Sequence, residues 1–322
     1  MFFHTELIFD EVPPVIDAIL NRPDAMLVIN LSGGKDSYAM LRYIVRLYAQ
    51  RSYQAQIVAV HANLGLAEWD GTEAIIHAQC SDVGVPLTVV RRSRGGLVKR
   101  FWQRWQTLQA EGKDVPPFSD SKNRFCTSDT KAQPIDTFIR TFSSRIVVNA
   151  MGLRAEESTK RAKKPVCAVR SSITTKPLKK LSPEEAWERW SDGRLAIDWL
   201  PIHHFPLERV WQEAGSSGKD LERRQQLFNK GKIDEALRGW RNHYAYVLGN
   251  KRLSCALCVF AGAKELARGA SYHPLLYANY RKLEEISGYQ FKKDLSLQDI
   301  PLFTPTISAQ TLACLLLELR EE

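Results

Sequence analysis

The sequence predicts an α/β fold in which a parallel sheet is covered by helices on both faces. Short apolar runs alternate with amphipathic segments through the first half of the chain, and a glycine-rich turn follows the first run. Strands that are apolar almost throughout are buried on both faces, and the alternating helices provide the cover. Ligands bind such sheets beyond the carboxyl ends of the strands. The loops after Asn30, Asn63 and Ala150 are therefore expected to line one site.

The alternation places four strands and three helices between residues 25 and 152. In chain order we predict a strand at 25–30, a helix at 37–50, a strand at 54–63, a helix at 72–84, a strand at 86–92, a helix at 131–142 and a strand at 144–152. After Gly152 a basic stretch rich in Ser, Thr and Pro extends to about residue 183, and the remainder is mostly helical. We therefore expect an α/β domain over residues 1–206, with a basic loop at 159–183, and a helical lobe over 207–322.

The composition favours a folded cytoplasmic protein. Of its 322 residues, 44% are hydrophobic and 25% are charged, which is too apolar for a disordered chain. No apolar run reaches the roughly 18–20 residues that span a bilayer, so no membrane partner is expected. The start, MFFHTELIFDEVPPV, carries acids where a secretory signal carries basic residues. Six cysteines are too few for a disulfide scaffold, and thiols in a cytosolic chain more often serve metal or redox chemistry.

Basic residues are concentrated in two stretches. The net charge is +9, with eight basic residues and no acid from Thr159 to Lys180, and six basic residues and no acid from Arg91 to Ala110. Such blocks attract polyanions, either nucleic acid or the phosphates of a nucleotide, although a solvated mobile loop is the plainer alternative. We favour the first stretch, as a flexible cationic loop that closes over a nucleotide or clamps a nucleic-acid backbone.

The glycine-rich turn has the features of a phosphate-binding loop. Its glycines let the backbone close on a phosphate, and the N–H groups at the start of the next helix provide an anion site. It is neither a Walker A loop nor a dinucleotide fingerprint, because GxxxxGK[ST] and GxGxxG are absent. A plain Gly-Gly turn is the alternative. The predicted binding residues are Ser32, Gly33, Gly34, Lys35, Asp36 and Ser37, with Asp36 also a candidate Mg²⁺ ligand.

The cysteines form a second candidate site. Cys255 and Cys258 make a CxxC motif in an apolar stretch, and Cys126 lies far earlier in the chain. A single CxxC is compatible with zinc, thiol redox chemistry or an iron–sulfur cluster, and free cysteines are also common as small buried hydrophobes. Cys80 and Cys314 lie on apolar helix faces and are predicted to be core residues.

Three further segments accompany the phosphate loop in a fixed order. They are Arg-Phe-Cys-Thr at 124–127 with Lys131 and Pro134, Gly-Leu-Arg-Ala-Glu-Glu-Ser at 152–158 with Arg161 and Ala162, and Pro-Ile at 201–202 with Val-Trp at 210–211. Together with the loop they resemble the phosphoadenosine phosphosulfate (PAPS) reductase-like branch of the N-type ATP pyrophosphatases, in the adenine nucleotide alpha hydrolase superfamily. The resemblance spans residues from about 27 to 260.

The resemblance implies that ATP is split between its α- and β-phosphates in the presence of Mg²⁺. Pyrophosphate is released, and an acceptor oxygen becomes adenylylated. Gly152 then joins the phosphate cradle, and positive side chains stabilise the charge that develops on the phosphates. No general base is assigned. The catalytic candidates by motif position are Asp36, Lys131, Arg154 and Arg161.

The cysteine segment around Cys255 and Cys258 is similar to that of PAPS reductase-like proteins linked to DNA phosphorothioation. In related reductases, two adjacent cysteines and a distant CxxC hold a [4Fe–4S] cluster. Here Phe125 occupies the first position of the pair, so Cys126, Cys255 and Cys258 remain. Either Cys167 completes the set, or one iron stays open, as in similar tRNA thiolases with three cysteines.

The resulting hypothesis is ATP-dependent sulfur insertion, with a DNA backbone phosphate as the favoured acceptor. The resemblance implies a cysteine desulfurase as the sulfur donor. RNA thiolation, sulfonucleotide reduction and a non-catalytic nucleotide-binding subunit are the alternatives. The last segment, TLACLLLELREE, lacks the Glu-Cys-Gly-x-His motif of assimilatory PAPS reductases, which weighs against sulfonucleotide reduction.

Overall fold

The computed structural model describes residues 11–320. Most of the acidic start, and the two outer limits of the predicted domains, lie outside this range. Within it one sheet runs through the first two thirds of the chain. Its strands are β1 (Ala25–Leu31), β2 (Gln56–Asn63), β3 (Leu87–Arg91), β4 (Ile146–Met151), β5 (Cys167–Val169) and β6 (Leu195–Trp199).

The sheet is mostly parallel, as predicted. Its strand order is β3-β2-β1-β4-β6-β5, and only the pairing of β5 with β6 is antiparallel. Asn30, near the end of the central strand β1, lies opposite Val60 of β2 and Met151 of β4. The loops that follow these three strands therefore emerge side by side at one edge of the sheet.

Helices cover both faces of the sheet. Gly231 has a positive φ of 76° and separates two helices within residues 220–248, a stretch that the sequence pattern presents as one helical region. Within residues 11–320 the helices are α1 (Pro14–Leu20), α2 (Lys35–Arg51), α3 (Thr72–Ser81), α4 (Leu97–Ala110), α5 (Phe125–Thr127), α6 (Gln133–Ile139), α7 (Thr159–Ala162), α8 (Pro183–Glu188), α9 (Leu207–Glu213), α10 (Gly218–Asn229), α11 (Ile233–Leu237), α12 (Ala263–Tyr272), α13 (Pro274–Ser287) and α14 (Ala309–Glu318).

Residues of the central strand alternate between two cores, one on each face of the sheet. Leu27 and Ile29 pack with α1, α2 and α9, whereas Val28 packs with Ile135 and Ile139 of α6. This alternation follows from the period of two residues in a strand and explains why the strand is apolar without interruption.

A third core unites the helical part of the chain with earlier residues. Phe101 of α4 and Phe125 of α5 are buried in the same cluster as Leu257 and Leu283. The helical part therefore packs around side chains from both sides of residue 206. The predicted domain division at 206/207 stays a prediction.

The basic stretch at 159–183 is part of the fold, so the expectation of a flexible loop is wrong. Its centre is the edge strand β5, and the apolar side chains of Val166 and Val169 pack against the core of the sheet. The Arg170 guanidinium is held by Asp136 and Asp198, at 2.7 and 2.9 Å. This arginine is therefore internally neutralised.

No helix within residues 11–320 combines the length and apolar character needed to cross a membrane.

Candidate active site

The phosphate loop, residues 32–37, joins β1 to α2. Gly33 has a φ of +74°, in the left-handed region that glycine adopts without strain. The Ser32 backbone N–H donates to Ser37 Oγ at 3.2 Å, and the Ser37 hydroxyl donates to the Gly34 carbonyl at 2.9 Å. The loop is therefore held against the first turn of α2 by its own hydrogen bonds.

The charged side chains of Lys35 and Asp36, which belong to this loop, pack together with Arg154. Lys35 Nζ lies 2.9 Å from Asp36 Oδ2, and Arg154 Nε donates to Asp36 Oδ1 at 2.6 Å. Burial would raise the pKa of the Asp36 carboxyl, but Lys35 and Arg154 outweigh burial and hold this pKa below its usual value. Asp36 is thus ionised and shared between two cations. Lys35 Nζ also lies over the rings of Trp211 and Tyr246, 5.7 and 5.4 Å from their centroids.

The loop after β4 packs directly on the phosphate loop, as predicted from the strand order. A Cβ at Gly152 would lie 3.1 Å from the Asp36 carbonyl oxygen and 3.2 Å from Ser37 Cα, so a side chain there would force the two loops apart. Arg154 is only 6% exposed and also contacts Glu156 at 2.8 Å. The structure therefore brings together Gly152, Asp36 and Arg154.

Arg161, in α7, forms an ion pair with Glu157, four residues before it. The same Glu157 carboxylate accepts a hydrogen bond from the Arg154 backbone N–H at 3.1 Å. The backbone carbonyl oxygen of Glu157 accepts a hydrogen bond from Arg252 Nη2 at 2.7 Å. Glu157 thus connects the two predicted arginines to the segment that carries the CxxC motif.

Two residues that sequence reasoning missed cover the glycines of the loop. Tyr246 Oη accepts a hydrogen bond from the Lys35 backbone N–H at 3.0 Å. A Cβ at Gly34 would lie 3.1 Å from Tyr246 Oη and 3.2 Å from Leu253 Cβ. These contacts join positions that are far apart in the chain, and no local motif marks either residue.

Cys126, Cys255 and Cys258 pack against the same helical core and are close enough to influence one another's ionisation, and we call this group the cysteine pocket. Burial raises the pKa of the Cys255 thiol to about 12, opposed by Lys131 and reinforced by the two other cysteines. Burial also raises the pKa of Cys258. Lys131, predicted as a phosphate-binding cation, therefore lies within electrostatic reach of the cysteines.

Local backbone features hold these cysteines in place. Cys126 and Lys131 share one helical run, α5 to α6, which is interrupted by a π-helical turn at 128–132. Such turns are frequent at functional sites because the extra residue changes the direction of nearby side chains. On the other side of the pocket, the Ala256 N–H donates to the Ala67 carbonyl at 2.9 Å, and Gly269 of α12 packs against Ala256.

A buried histidine links the phosphate loop to the cysteine pocket. One ring nitrogen of His61, Nδ1, lies 3.0 Å from the Leu31 carbonyl oxygen, and the other, Nε2, lies 3.2 Å from Glu68 Oε2. The charge of Glu68 acts in turn on Cys255. Neither His61 nor Glu68 belongs to a motif that the sequence analysis identified.

The described residues form no site for a single metal ion. Within residues 11–320 no group of three or more His, Cys, Asp or Glu side chains is arranged to hold one. An iron–sulfur cluster distributes its thiolate ligands over several iron atoms, so its sulfur ligands need not converge on one point. Cys126, Cys255 and Cys258 pack against the same helical core and act on one another electrostatically, and they are the thiols that such a cluster would use.

The other three cysteines lie elsewhere, which corrects one expectation and bears on another. Cys167 lies in β5 against the core of the sheet, where burial and Glu184 raise its pKa to about 12. It packs in a different core from Cys126, Cys255 and Cys258, which weighs against the alternative in which Cys167 completes the ligand set. Cys80 is buried as predicted, whereas Cys314 is exposed.

Asp36 is the carboxylate of the phosphate loop, but both its oxygens are already occupied by cations. Mg²⁺ prefers carboxylate and phosphate oxygens. Binding of Mg²⁺ at Asp36 Oδ2 would require Lys35 Nζ to give up its 2.9 Å contact. Asp36 can therefore hold Mg²⁺ only if the metal replaces Lys35 at this oxygen.

A phosphate loop at the end of the central strand, held by a glycine–arginine loop from the neighbouring strand, defines the adenine nucleotide alpha hydrolase class. Residues 26–218, well over half of the chain, match the phosphoadenosine phosphosulfate reductase domain family. The chain belongs to that family, which confirms the resemblance inferred from its motifs. The closer relation to components of DNA phosphorothioation systems stays a prediction.

Curated relatives match a shorter stretch. The tRNA-cytidine(32) 2-sulfurtransferase of Neisseria meningitidis serogroup A / serotype 4A (strain DSM 15465 / Z2491) is 34% identical over 85 residues, which is 26% of this chain and 26% of that protein. The enzyme of the same name from Neisseria gonorrhoeae (strain NCCP11945) is 33% identical over 85 residues, with the same coverage. The match thus spans about a quarter of the length of these relatives.

Solved structures match more of the chain at lower identity. The U34-tRNA thiolase NcsA from Methanococcus maripaludis, with its [4Fe-4S] cluster, has a TM-score of 0.40 and 14% identity, covering 89% of this chain and 79% of that one. The PAPS reductase from Candida auris, as a phosphate complex, has a TM-score of 0.37 and 12% identity, covering 64% and 79%.

Proposed function

We propose that the protein catalyses ATP-dependent sulfur insertion into a nucleic acid, with a DNA backbone phosphate as acceptor. The observation that carries the proposal is the contact between its two sites. Leu253, two residues before Cys255, packs on the glycines of the phosphate loop. An activated acceptor bound at the loop would therefore lie next to the cysteine pocket.

The first half of the reaction belongs to the phosphate loop. The acceptor oxygen attacks the α-phosphorus of ATP, and the bond to the pyrophosphate oxygen breaks. Backbone N–H groups at the start of α2 and the hydroxyls of Ser32 and Ser37 bind the phosphates. Asp36 would hold Mg²⁺, which would neutralise the phosphate oxygens, and the positive charge of Lys35 stabilises the departing pyrophosphate. Arg154 keeps Asp36 ionised and oriented through the 2.6 Å hydrogen bond.

The second half belongs to the cysteine pocket. We assign Cys126, Cys255 and Cys258 as the ligands of a [4Fe–4S] cluster, which supplies an iron site for sulfide when bound. Three thiols must lose their protons to serve as ligands, and Lys131 favours that loss through its charge.

Sulfur transfer balances without a change of oxidation state. Sulfide attacks the adenylylated backbone phosphorus, a phosphorus–sulfur bond forms, and AMP leaves with the former backbone oxygen. A cysteine desulfurase is the source of sulfur that the family resemblance implies. Inorganic sulfide can replace that partner in a test of this chain alone.

The test uses the anaerobically reconstituted protein with ATP, Mg²⁺, sodium sulfide and duplex DNA. We expect AMP, pyrophosphate and, after nuclease digestion, a phosphorothioate dinucleotide detected by mass spectrometry. ADP and inorganic phosphate as products would refute the assignment of the phosphate loop. AMP formation with an unmodified DNA backbone would refute the acceptor.

RNA thiolation is the second candidate, favoured by the 34% identity to tRNA-cytidine(32) 2-sulfurtransferases over 85 residues. The chemistry at the phosphate loop would be the same, with a base oxygen in place of the backbone oxygen. A parallel reaction with an unmodified tRNA transcript separates the two, because its product would be a thionucleoside.

A further inference from the structure

A groove at the free edge of the sheet is lined by none of the residues assigned to the site described above. It has a volume of about 1010 Å³ and lies between the end of β3, α4 and α6. Four arginines line it, against a single acid, Asp129. Its arginines are Arg91, Arg92, Arg94 and Arg100.

The positive charge of the groove is only partly neutralised. Arg100 pairs with Asp129 at 2.8 Å and Arg91 pairs with Glu73 at 3.0 Å, whereas within residues 11–320 Arg92 and Arg94 form no ion pair. Burial lowers the pKa of Arg92, and the like charges of Arg100 and Arg94 lower it further. Guanidinium groups that repel one another are stabilised by a bound anion, so the groove favours an anionic ligand.

The rest of the lining favours a sugar–phosphate backbone over unstacked bases. Gln103, Gln106 and Thr107 add polar hydrogen-bonding groups. Phe138 is the one aromatic side chain in the lining within residues 11–320, and it packs edge-on against Phe142 at 4.8 Å. Proteins that bind single strands stack bases on aromatic platforms, whereas a duplex is held through its phosphates. The lining of the groove therefore suits contacts with phosphates rather than the stacking of bases.

The groove and the cysteine pocket share one wall. Asp129 and Gln133 line the groove, while Cys126 and Lys131 of the same helical run belong to the pocket. At a rise of about 1.5 Å per residue, Cys126 and Gln133 are roughly 10 Å apart along the helix. The phosphates of one DNA strand rise by about 3.4 Å per step along the duplex axis, so about three base steps correspond to this distance.

We propose that this groove binds the phosphodiester backbone of duplex DNA and directs it along the α5–α6 run to the cysteine pocket. The inference rests on the proposed function and gives its acceptor a binding surface. The DNA contact is thereby moved to the β3 edge of the sheet, away from the basic stretch at 159–183 on the β5 edge.

The experiment measures the binding of a fluorescein-labelled DNA duplex to the full chain by anisotropy over a range of salt concentrations. The test variant is Arg91→Gln/Arg94→Gln, because both side chains are exposed and leave the core intact. The matched control is Lys176→Gln/Lys179→Gln/Lys180→Gln at the opposite edge. Thermal melting of both variants verifies that they fold.

We expect the arginine variant to bind DNA about tenfold more weakly and to lose about 0.9 of log–log salt slope for each phosphate contact removed. The charge-conserving variant Arg91→Lys/Arg94→Lys should keep most of the slope. The lysine control should bind DNA like the parent protein.

Three results would overturn the proposal. The arginine variant could keep the parent slope, the lysine control could lose it instead, or the arginine variant could lose affinity only for a tRNA transcript. The product assay is independent of these results. A parent protein that binds DNA through the groove and forms no phosphorothioate would refute the proposed function alone, and phosphorothioate formation with an unchanged slope in the arginine variant would refute the groove alone.

Discussion

The phosphate loop and the cysteine pocket are neighbours that treat charge in opposite ways. In the loop, Asp36 is ionised, and each of its oxygens is held by a cation at 2.9 Å or less. In the pocket, burial raises the pKa values of Cys255 and Cys258, so these groups are neutral thiols at physiological pH. The charges of the loop are therefore paired without a ligand, whereas the thiols of the pocket are still protonated and must lose protons before they can bind a metal.

The difference shows how one site can combine two kinds of chemistry. A loop of fixed N–H groups and paired charges needs little reorganisation to bind a phosphate. Buried thiols become thiolates only when a metal replaces their protons. Changes in the loop should therefore affect the use of ATP, and changes in the pocket should affect the metal content.

The largest effect is expected at Asp36. The substitution Asp36→Asn keeps the shape of the side chain but removes the charge between Lys35 and Arg154. We expect the rate of AMP and pyrophosphate formation to fall by about 10²–10³-fold, the range for loss of one preorganised electrostatic group. Asp24→Asn, at an exposed ion pair with Arg22, is the control and should keep the parent rate. Equal rates in the two variants would contradict the role of Asp36.

The next effect concerns the metal. Cys126→Ser, Cys255→Ser and Cys258→Ser should each lose most of the iron and acid-labile sulfide that the parent takes up in anaerobic reconstitution. Cys167→Ser should keep both, because Cys167 packs against the sheet core. Elemental analysis and sulfide assays make the measurement. Bound zinc without iron or sulfide would show that the pocket is not a cluster site.

A pair of glycine substitutions separates the two regions. A Cβ at Gly269 would lie 1.8 Å from the Ala256 carbonyl oxygen, so Gly269→Ala must displace the CxxC segment. We expect it to lower the free energy of unfolding by about 1–3 kcal/mol and to reduce iron uptake. Gly152→Ala should instead weaken ATP turnover by about tenfold through a shift of the loop, with iron uptake unchanged. If both variants lose both properties, the two regions are not separable.

The last effect is a dependence of stability on pH at His243, in the turn that ends at Tyr246. Burial, with help from His273, lowers the pKa of His243 to about 3, and His243 Nδ1 accepts a hydrogen bond from the Ala245 N–H in the turn that ends at Tyr246. The unfolded state takes up a proton below the ordinary histidine pKa of about 6.5 while the folded state does not.

The free energy of unfolding should therefore be unaffected by His243 above pH ~6.5 and should fall by about 1.4 kcal/mol per pH unit as the pH is lowered from there toward 3. Denaturant unfolding at several pH values measures this slope. His243→Asn keeps an acceptor for Ala245 and should flatten the slope. His204→Asn, at an exposed histidine, should not.

The fold and the phosphate loop could be predicted because their signals are local. The SGGKDS residues are contiguous, and the order of apolar strands places Gly152 and Arg154 at the same sheet edge. Tyr246 and Leu253 could not be predicted in the same way. Their role depends on how distant helices pack, which no spacing in the sequence records.

The two basic stretches were indistinguishable by charge alone, and the structure separates them by position. The second lines the groove beside β3, whereas the first contains the strand β5 at the opposite edge of the sheet. Each stretch contains paired arginines, such as Arg170 with Asp136 and Arg91 with Glu73. Likewise Cys167 and Cys126 differ only in tertiary position, so the number of ligands could not be decided from the cysteine pattern.

The contact between Tyr246 and Lys35 has a consequence for biosynthesis. These residues are 211 positions apart, and the family match ends at residue 218. A nascent chain that has emerged from the ribosome as far as residue 218 carries the SGGKDS loop and the glycine–arginine loop but not the groups that cover Gly34. The SGGKDS loop therefore reaches its final packing only after the CxxC segment has been made, so the two regions are completed together.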